Sequence, residues 1–112
     1  MFRRGEIYWA RLDLATGSEM RGDHPVLIIQ NNVGNEYSPT TIVAAVITSK
    51  VKKAYPFHVE IGSAESGLSS DSTVLLEQIR TLNKTRFIQK VGSLSASRMI
   101  EIDRAIKYSL GL

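Results

Sequence analysis

Apolar side chains recur along the chain in two patterns, one typical of strands and one typical of a helix. Several short stretches are rich in β-branched or aromatic residues and are bounded by turn residues, which favours strands. The uninterrupted run from Val26 to Ile29 predicts a strand buried on both faces, with Pro25 as its first residue because proline donates no ladder hydrogen bond. The predicted strands are residues 5–12, 25–29, 40–48, 57–61 and 72–82.

The last part of the chain has helical periodicity. Ser95 is placed to cap a helix over Ala96–Leu110, and Gly111 is placed to end it. Apolar residues recur three or four positions apart and so form an apolar stripe along one side of this helix, which two further apolar residues widen. The stripe is Met99, Ile102, Ile106 and Leu110, widened by Ile100 and Ala105.

The predicted connections are rich in glycine, asparagine and serine. They are a loop over residues 13–23, a turn over 31–35, a loop over 49–56, a long turn over 62–71 and a short helical turn over 83–86. Strands followed by one terminal helix predict a mainly β fold, a small antiparallel barrel or half-open roll with the helix packed against it. A chain of 112 residues is expected to form a single domain, residues 1–112.

Composition narrows the class of protein. Apolar residues make up 43% of the chain and charged residues 22%, as in ordinary globular proteins. Met1 to Arg4 lead directly into strand-like sequence, and no long apolar run follows, so neither a signal peptide nor a membrane span is expected. The lack of cysteine excludes disulfides and thiolate metal sites and suits a reducing cytoplasm. A net charge of +3 is equally compatible with scattered lysines and with a nucleic-acid surface.

Polar groups gather at the ends of the predicted strands. Taken singly, these groups fit ordinary strand ends and weak surface ion pairs. Together they supply what RNA cleavage without a metal requires, namely proton transfer at the 2′-hydroxyl and the 5′-oxygen and donors for the phosphorane. RNA binding without cleavage fits them as well. The groups are Glu19, Arg21, Asp23, His24, Thr48, Ser49, Glu77, Gln78 and Arg80.

Longer stretches of the sequence resemble the MazF/PemK family of toxin endoribonucleases, most closely its Gram-positive MazF branch. The resemblance runs from about Arg3 to Leu110 in the family's order and spacing. The stretches read RRGEIY, GSE, HPVLIIQN, SPT, a strand ending in TS, HVEI, and DS followed by LLEQIRT.

The resemblance implies a fold, an activity and partners. The fold is an SH3-like β-barrel, close to that of the gyrase poison CcdB, with a C-terminal helix. The activity is ribosome-independent cleavage of single-stranded RNA at a short sequence, leaving 2′,3′-cyclic phosphate and 5′-hydroxyl ends with no metal or other cofactor. The partners are a second copy of the chain and a MazE-like antitoxin whose C-terminal tail blocks the RNA groove.

The family's catalytic pair is an arginine immediately before the proline and a threonine at the end of the second buried strand. Thr48 matches the threonine, but that strand is one residue longer than usual, so Thr48 and Ser49 both remain candidates. The predicted RNA-binding residues combine cations with groups that are able to read bases. They are Arg3, Arg4, Ser18, Glu19, Lys50, Lys53, Glu77, Gln78 and Arg80.

The arginine position is where the sequence departs from the family, because His24 stands there. Histidine lacks the permanent charge and the planar fork with which arginine holds a phosphate. We favour an inactivating substitution, natural or engineered, over a reassigned acid or base. A catalytically silent RNA- or antitoxin-binding module is the alternative function. A CcdB-like gyrase poison is disfavoured because such toxins rely on a tryptophan near the C-terminus, whereas the one tryptophan here is Trp9.

Overall fold

A computed structural model describes residues 1–12 and 22–112 and shows six strands, three α-helices and one 3-10 turn within them. Every predicted strand is present, and so are the terminal helix and the short helical turn. The elements in chain order are β1 (Glu6–Arg11), β2 (Asp23–Ile28), α1 (Asn32–Tyr37), β3 (Thr40–Ile47), β4 (His58–Ile61), α2 (Ser63–Ser66), β5 (Ser72–Asn83), the 3-10 turn (Lys84–Arg86), β6 (Phe87–Ser93) and α3 (Ala96–Leu110).

The strands form one curled antiparallel sheet in the order β4-β5-β3-β2-β1-β6, which confirms the predicted fold class. Helix α3 packs on one side of the sheet through Ile102 and Ala105, which are buried among strand residues. Within the described residues no helix has both the length and the hydropathy to cross a membrane.

Strand β2 lies at the centre of the sheet and is buried on both faces, as its uninterrupted apolar run predicts. Leu27 belongs to the core on the helix side, while Val26 and Ile28 belong to a second core on the opposite side. Three aromatic side chains, Phe2, Tyr8 and Phe87, pack against this second core. The sheet is therefore the middle layer, and its alternating side chains fill both cores.

The predicted position of Pro25 is wrong. Strand β2 begins at Asp23, so Pro25 is its third residue, paired with Trp9 of β1. The ladder between β2 and β3 joins residues 26–28 to residues 43–45. Since Pro25 has no N–H to donate, β2 extends past it alongside β1, while its pairing with β3 begins at Val26.

Two predicted turns contain short helices. Residues 32–37 form α1, which Asn31 caps by accepting a hydrogen bond from the Gly34 amide at 2.8 Å. The long turn over residues 62–71 contains α2, which ends at Gly67 in the left-handed conformation. Asparagine and glycine favour both turns and helix caps, so their presence alone did not separate the two outcomes.

Strand β6 was not predicted. Its sequence, FIQKVGS, contains no run of β-branched residues, and the strand lies at the edge of the sheet, where it pairs with β1 through two register shifts. Its backbone also lies directly against the end of α2. A Cβ atom at Gly92 would sit 2.2 Å from the Ser66 carbonyl oxygen, so only glycine allows this approach.

Helix α3 has the predicted bounds, with Ser95 as the N-cap and Gly111 as the left-handed C-cap. The predicted apolar stripe is only partly buried. Met99 and Ile106 pack against the helix-side core beside Ile102 and Ala105, as predicted. Ile100 and Leu110 are 54% and 58% exposed, so these two members of the apolar stripe do not belong to the core. Ile100 lies well around the helix from Ile102, and Leu110 is the last residue of the helix.

Candidate functional site

His24 and Thr48 lie at the same end of the sheet. His24 is the second residue of β2, and Thr48 follows the last residue of β3. Because β2 and β3 are antiparallel, the start of β2 and the end of β3 lie side by side at the same end of the sheet. Pro25 has no N–H to donate, and the pairing of β2 with β3 begins at Val26. His24 and Thr48 therefore lie just beyond the paired residues, at the same end of the two strands.

His24 is half-buried, and its Cα pairs with that of Ala10. In an antiparallel ladder, paired residues point to the same face, so His24 faces the side of the aromatic-backed core, where Ala10 lies next to Phe87 of β6. The ring therefore lies at the rim of a packed surface and is still partly open to solvent.

The loop that carries Thr48 and Ser49 is anchored to the start of β5. The Ser70 hydroxyl donates to the Thr48 carbonyl oxygen at 3.2 Å, and the Thr73 hydroxyl donates to the Ser49 carbonyl oxygen at 2.9 Å. Both bonds use the backbone of the loop residues, so the two hydroxyl groups are not consumed by them. Thr48 and Ser49 are both exposed, so both remain candidates for the catalytic hydroxyl.

Glu77 and Gln78 lie in an irregular part of β5. The register with β3 jumps between Ala44, paired with Ile79, and Ala45, paired with Leu75. Three β5 residues, 76–78, are therefore inserted into the ladder, and such an insertion bends a strand and redirects its side chains. The Glu77 carboxylate then meets the His58 ring of β4, with 2.9 Å between Oε2 and Nε2.

The structure places Arg3 and Arg4 at the other end of β2 from His24. The Gly5 amide donates to the Ile28 carbonyl oxygen at 2.8 Å. Four residue steps along β2, about 13 Å of strand, separate Ile28 from His24. Arg80 pairs with Val43, which pairs with Ile28, so it lies at the level of Ile28 rather than His24.

Arg4 also has a structural role. Its Nε donates to the Ile29 carbonyl oxygen at 2.8 Å, and its Nη2 lies 2.6 Å from an Asp103 carboxylate oxygen. These bonds attach the N-terminal segment to both β2 and α3. Arg3 is exposed, and its backbone amide donates to Glu6 at 2.8 Å.

Lys50 and Lys53 are exposed in the loop between β3 and β4. The Lys50 ammonium lies 3.9 Å from Asp71, and the Lys53 ammonium lies 5.3 Å from the centre of the Tyr55 ring. Both contacts are of the weak, solvent-screened kind, so both cations can turn toward a ligand. Ser18 and Glu19 lie outside the described residues.

Two further arginines occur at the His24 end of the sheet and were not predicted. Arg11 ends β1, and Arg86 precedes β6; together with Thr85 and Ile88 they line a cavity of about 420 Å³. Arg11 lies 4.0 Å from Asp23, the residue before His24. Only the pairing of β6 with β1 brings Arg86 near Arg11.

Two side chains of β1, Tyr8 and Glu6, have shifted pKa values. Burial raises the pKa of Tyr8 to about 12, and the neighbouring Glu6 carboxylate adds to the shift. Burial also acts to raise the pKa of Glu6, but hydrogen bonds from Lys90 and the Arg3 amide outweigh it, so the pKa is lowered. This Glu6–Tyr8–Lys90 cluster joins β1 to β6 and is structural. Among residues 1–12 and 22–112, no three His, Asp or Glu side chains converge as a metal site would require.

Comparison with known proteins identifies relatives over the whole chain. Residues 3–110 match the family described as PemK-like, MazF-like toxins of type II toxin–antitoxin systems. The chain is 53% identical, over 112 residues, to "Endoribonuclease MazF" of Staphylococcus epidermidis, covering all of this chain and 93% of the relative. It is also 53% identical, over 113 residues, to the protein of the same name from Staphylococcus saprophyticus, with the same coverage.

The fold of the chain is also similar to that of a solved structure. The chain is similar to an endoribonuclease in complex with its cognate antitoxin from a mycobacterial species, with a TM-score of 0.81 and 26% identity. The similarity covers all of this chain and 97% of that one.

Proposed function

The chain belongs to the PemK-like, MazF-like toxins of type II toxin–antitoxin systems and is an endoribonuclease, and from this premise we propose that it cleaves single-stranded messenger RNA at a short sequence, independently of the ribosome. The observation that carries the proposal is the placement of His24 and the Thr48–Ser49 hydroxyls at one end of the sheet, just beyond the paired residues of β2 and β3. An acid–base group and a hydroxyl that share this end of the sheet suit a scissile phosphate.

The proposed reaction needs only the RNA. The 2′-oxygen of one nucleotide attacks the adjacent phosphorus, and the bond from phosphorus to the 5′-oxygen breaks. The 2′-hydroxyl loses a proton and the 5′-oxygen gains one, so the products are a 2′,3′-cyclic phosphate and a 5′-hydroxyl. Protein groups have to move these two protons and stabilise the negatively charged phosphorane.

Each candidate residue has a role in this scheme. His24 exchanges protons or donates to the phosphate, and the Thr48 or Ser49 hydroxyl contacts the phosphate or orients the 2′-oxygen. Because His24 lacks the fixed charge of arginine, we propose that the cleavage step is impaired. Lysines and arginines bind phosphates, Glu19 and Gln78 read bases, and Ser18 and Glu77 also contact the RNA. The cations are Arg3, Arg4, Lys50, Lys53 and Arg80.

We propose a cytoplasmic homodimer that a MazE-like antitoxin inhibits, with residues 1–112 forming one domain. The mycobacterial relative crystallised with its cognate antitoxin supports the partner class. Sedimentation equilibrium at micromolar concentration tests the dimer, and a single 12.4 kDa species would refute it.

The experiment that tests the function is cleavage of a long RNA in the presence of EDTA, followed by mapping of the ends. Slow cleavage at a recurring short sequence is expected, and the 5′ ends should accept ligation only after phosphorylation because they carry hydroxyls. The Thr48→Ala, Ser49→Ala double variant is the control and should be inactive. The proposal fails if both the parent and His24→Arg leave the RNA intact, or if the products carry 5′-phosphates.

His24 itself favours a second candidate, a catalytically silent module that binds RNA or the antitoxin. This candidate predicts that the parent retains RNA or an antitoxin peptide without cleaving RNA at any pH. The same cleavage experiment, run beside an RNA retention assay, therefore separates the two functions.

A further inference from the structure

Two aromatic rings stack on one another beside the predicted RNA groove and have no role in the mechanism above. Tyr55 and Phe57 flank Pro56, with ring centres 5.0 Å apart and planes only 13° from parallel. Tyr55 is 39% exposed, whereas Phe57 is half-buried beneath it. Proline restricts the backbone between the two rings, so the pair is held in place before any ligand binds.

The His58 ring contacts both of these aromatic rings. Its ring meets Tyr55 and Phe57 edge-on, with centres 5.4 and 4.8 Å away. The His58 side chain is only 10% exposed, and Glu77 holds its Nε2 at 2.9 Å. Among the described residues its buried Nδ1 has no hydrogen-bond partner. His58 and Tyr55 both line a cavity of about 290 Å³, so an incompletely satisfied polar ring forms part of its wall.

Charged residues lie on both sides of the rings. Lys50, Lys52 and Lys53 precede the rings in the same loop, and the Lys53 ammonium lies 5.3 Å from the Tyr55 ring centre. Glu60, Arg98 and Glu101 line the cavity, and Arg98 donates to Glu101 at 3.0 Å. The three lysines of the loop therefore supply the positive charge that attracts a polyanion to the rings.

We propose that Tyr55, backed by Phe57 and His58, is a stacking platform for one unpaired base of the RNA. Aromatic rings beside a cationic track are the usual means by which proteins hold single-stranded nucleic acids, because every base has a π-face. A base that stacks on Tyr55 displaces the Lys53 ammonium from the ring toward the adjoining phosphate. The cavity lies near the lower end of the size range of ligand pockets, about 300–1,000 Å³, and suits a base rather than a whole nucleotide chain.

The stacking platform and the candidate catalytic hydroxyls lie in the same loop. Thr48 and Tyr55 belong to one loop, whose start is anchored on β5 and whose end enters β4. Glu77, a predicted RNA-binding residue, holds His58. A base on Tyr55 is thus positioned by the same contacts that position Glu77. This inference rests on the proposed function, since it names a further subsite for the same RNA.

The test is the affinity of a short random-sequence 2′-O-methyl RNA, which cannot be cleaved because it lacks the free 2′-hydroxyl. Tyr55→Ala is expected to bind about 5-fold to 150-fold more weakly, the range that stacking one base contributes. Tyr55→Phe should bind like the parent because it retains the ring. Tyr37→Ala is the matched control, since Tyr37 is 79% exposed on α1, and it should not change the affinity.

Two further readouts identify stacking. An oligonucleotide of the same length with abasic positions should lose affinity for the parent but much less for Tyr55→Ala. The salt dependence of binding should stay unchanged in Tyr55→Ala and should decrease by about one ion in Lys53→Ala.

Three results would overturn the platform. Equal RNA binding by the parent and Tyr55→Ala, with cleavage by the parent, refutes the platform alone. Loss of dimer or antitoxin-peptide binding in Tyr55→Ala, with unchanged RNA affinity, assigns the ring to a protein interface. Failure of the parent to bind RNA in any form refutes both the platform and the proposed function.

Discussion

The Nε2 atom of His58 and a carboxylate oxygen of Glu77 lie 2.9 Å apart, and this contact joins the edge strand β4 to the irregular middle of β5. The two partners differ in exposure, since the His58 side chain is 10% exposed and the Glu77 side chain 40%. Glu77 can be solvated when the contact breaks, but His58 cannot.

Glu77→Ala should therefore lower the free energy of unfolding by about 1–3 kcal/mol, the cost of leaving a buried polar group unpaired. Urea denaturation of the purified variant measures it. Glu60→Ala, an exposed glutamate on β4, is the control and should change stability by no more than about 0.5 kcal/mol. Equal effects of the two substitutions would show that the contact does not contribute to stability.

The His24→Arg variant should cleave RNA faster than the parent and be more toxic when expressed. Removing one transition-state donor typically costs about a hundredfold to a thousandfold, so restoring a fixed cation could return as much. Initial cleavage rates on one RNA, taken between about pH 5 and pH 9, measure the gain. If the variant is slower, and the parent's rate bends in the range where histidines titrate, His24 is an acid or base instead.

Single substitutions decide between the two hydroxyls. Thr48→Ala should reduce the cleavage rate of both the parent and His24→Arg, because the hydroxyl contacts the phosphate or orients the 2′-oxygen. Ser49→Ala is the matched comparison, since both residues are exposed and both are anchored through their carbonyl oxygens. A loss confined to Ser49→Ala would transfer the role to that residue. Undiminished rates in both variants would remove the hydroxyl from the mechanism.

Ile106→Asp should lower the free energy of unfolding by several kcal/mol, since it places a charge against the helix-side core. Ile100→Asp lies on the same helix at a position that is 54% exposed and should have little effect. Thermal or urea unfolding of the pair measures the difference. Unchanged stability in Ile106→Asp would mean that α3 does not pack on the sheet through this residue.

Stability should decline in acid. Hydrogen bonds from the Arg98 guanidinium lower the pKa of Glu65, and the Lys90 and Arg3 bonds lower that of Glu6 in spite of its burial. A pKa that is lowered in the folded state means that the unfolded chain takes up protons first as the pH falls. The free energy of unfolding should thus be fully retained above the ordinary glutamate pKa of 4.5 and be lost progressively below it.

Urea titrations at a series of pH values test this expectation. The Glu65→Gln variant should be less stable than the parent near neutral pH and should lose less stability in acid. A parent whose stability is flat down to about pH 3 would show that neither carboxylate contributes through its charge.

Local sequence patterns determined the bounds of α3, the burial of β2 and the family resemblance. The bounds of α3 follow from the Ser95 cap, the helical spacing of its apolar residues and Gly111, all of which act within a few residues of the helix. The double burial of β2 follows from its uninterrupted apolar run. The resemblance to toxin endoribonucleases is likewise carried by the sequence, and the family match confirms it.

Tertiary structure alone decided the features that depend on which strand lies beside which. Strand β6 exists because β1 offers it a partner, and the three-residue insertion in β5 exists only relative to the register of β3. Pairing is a long-range choice between segments distant in sequence, so the contact between His58 and Glu77 had no local signal.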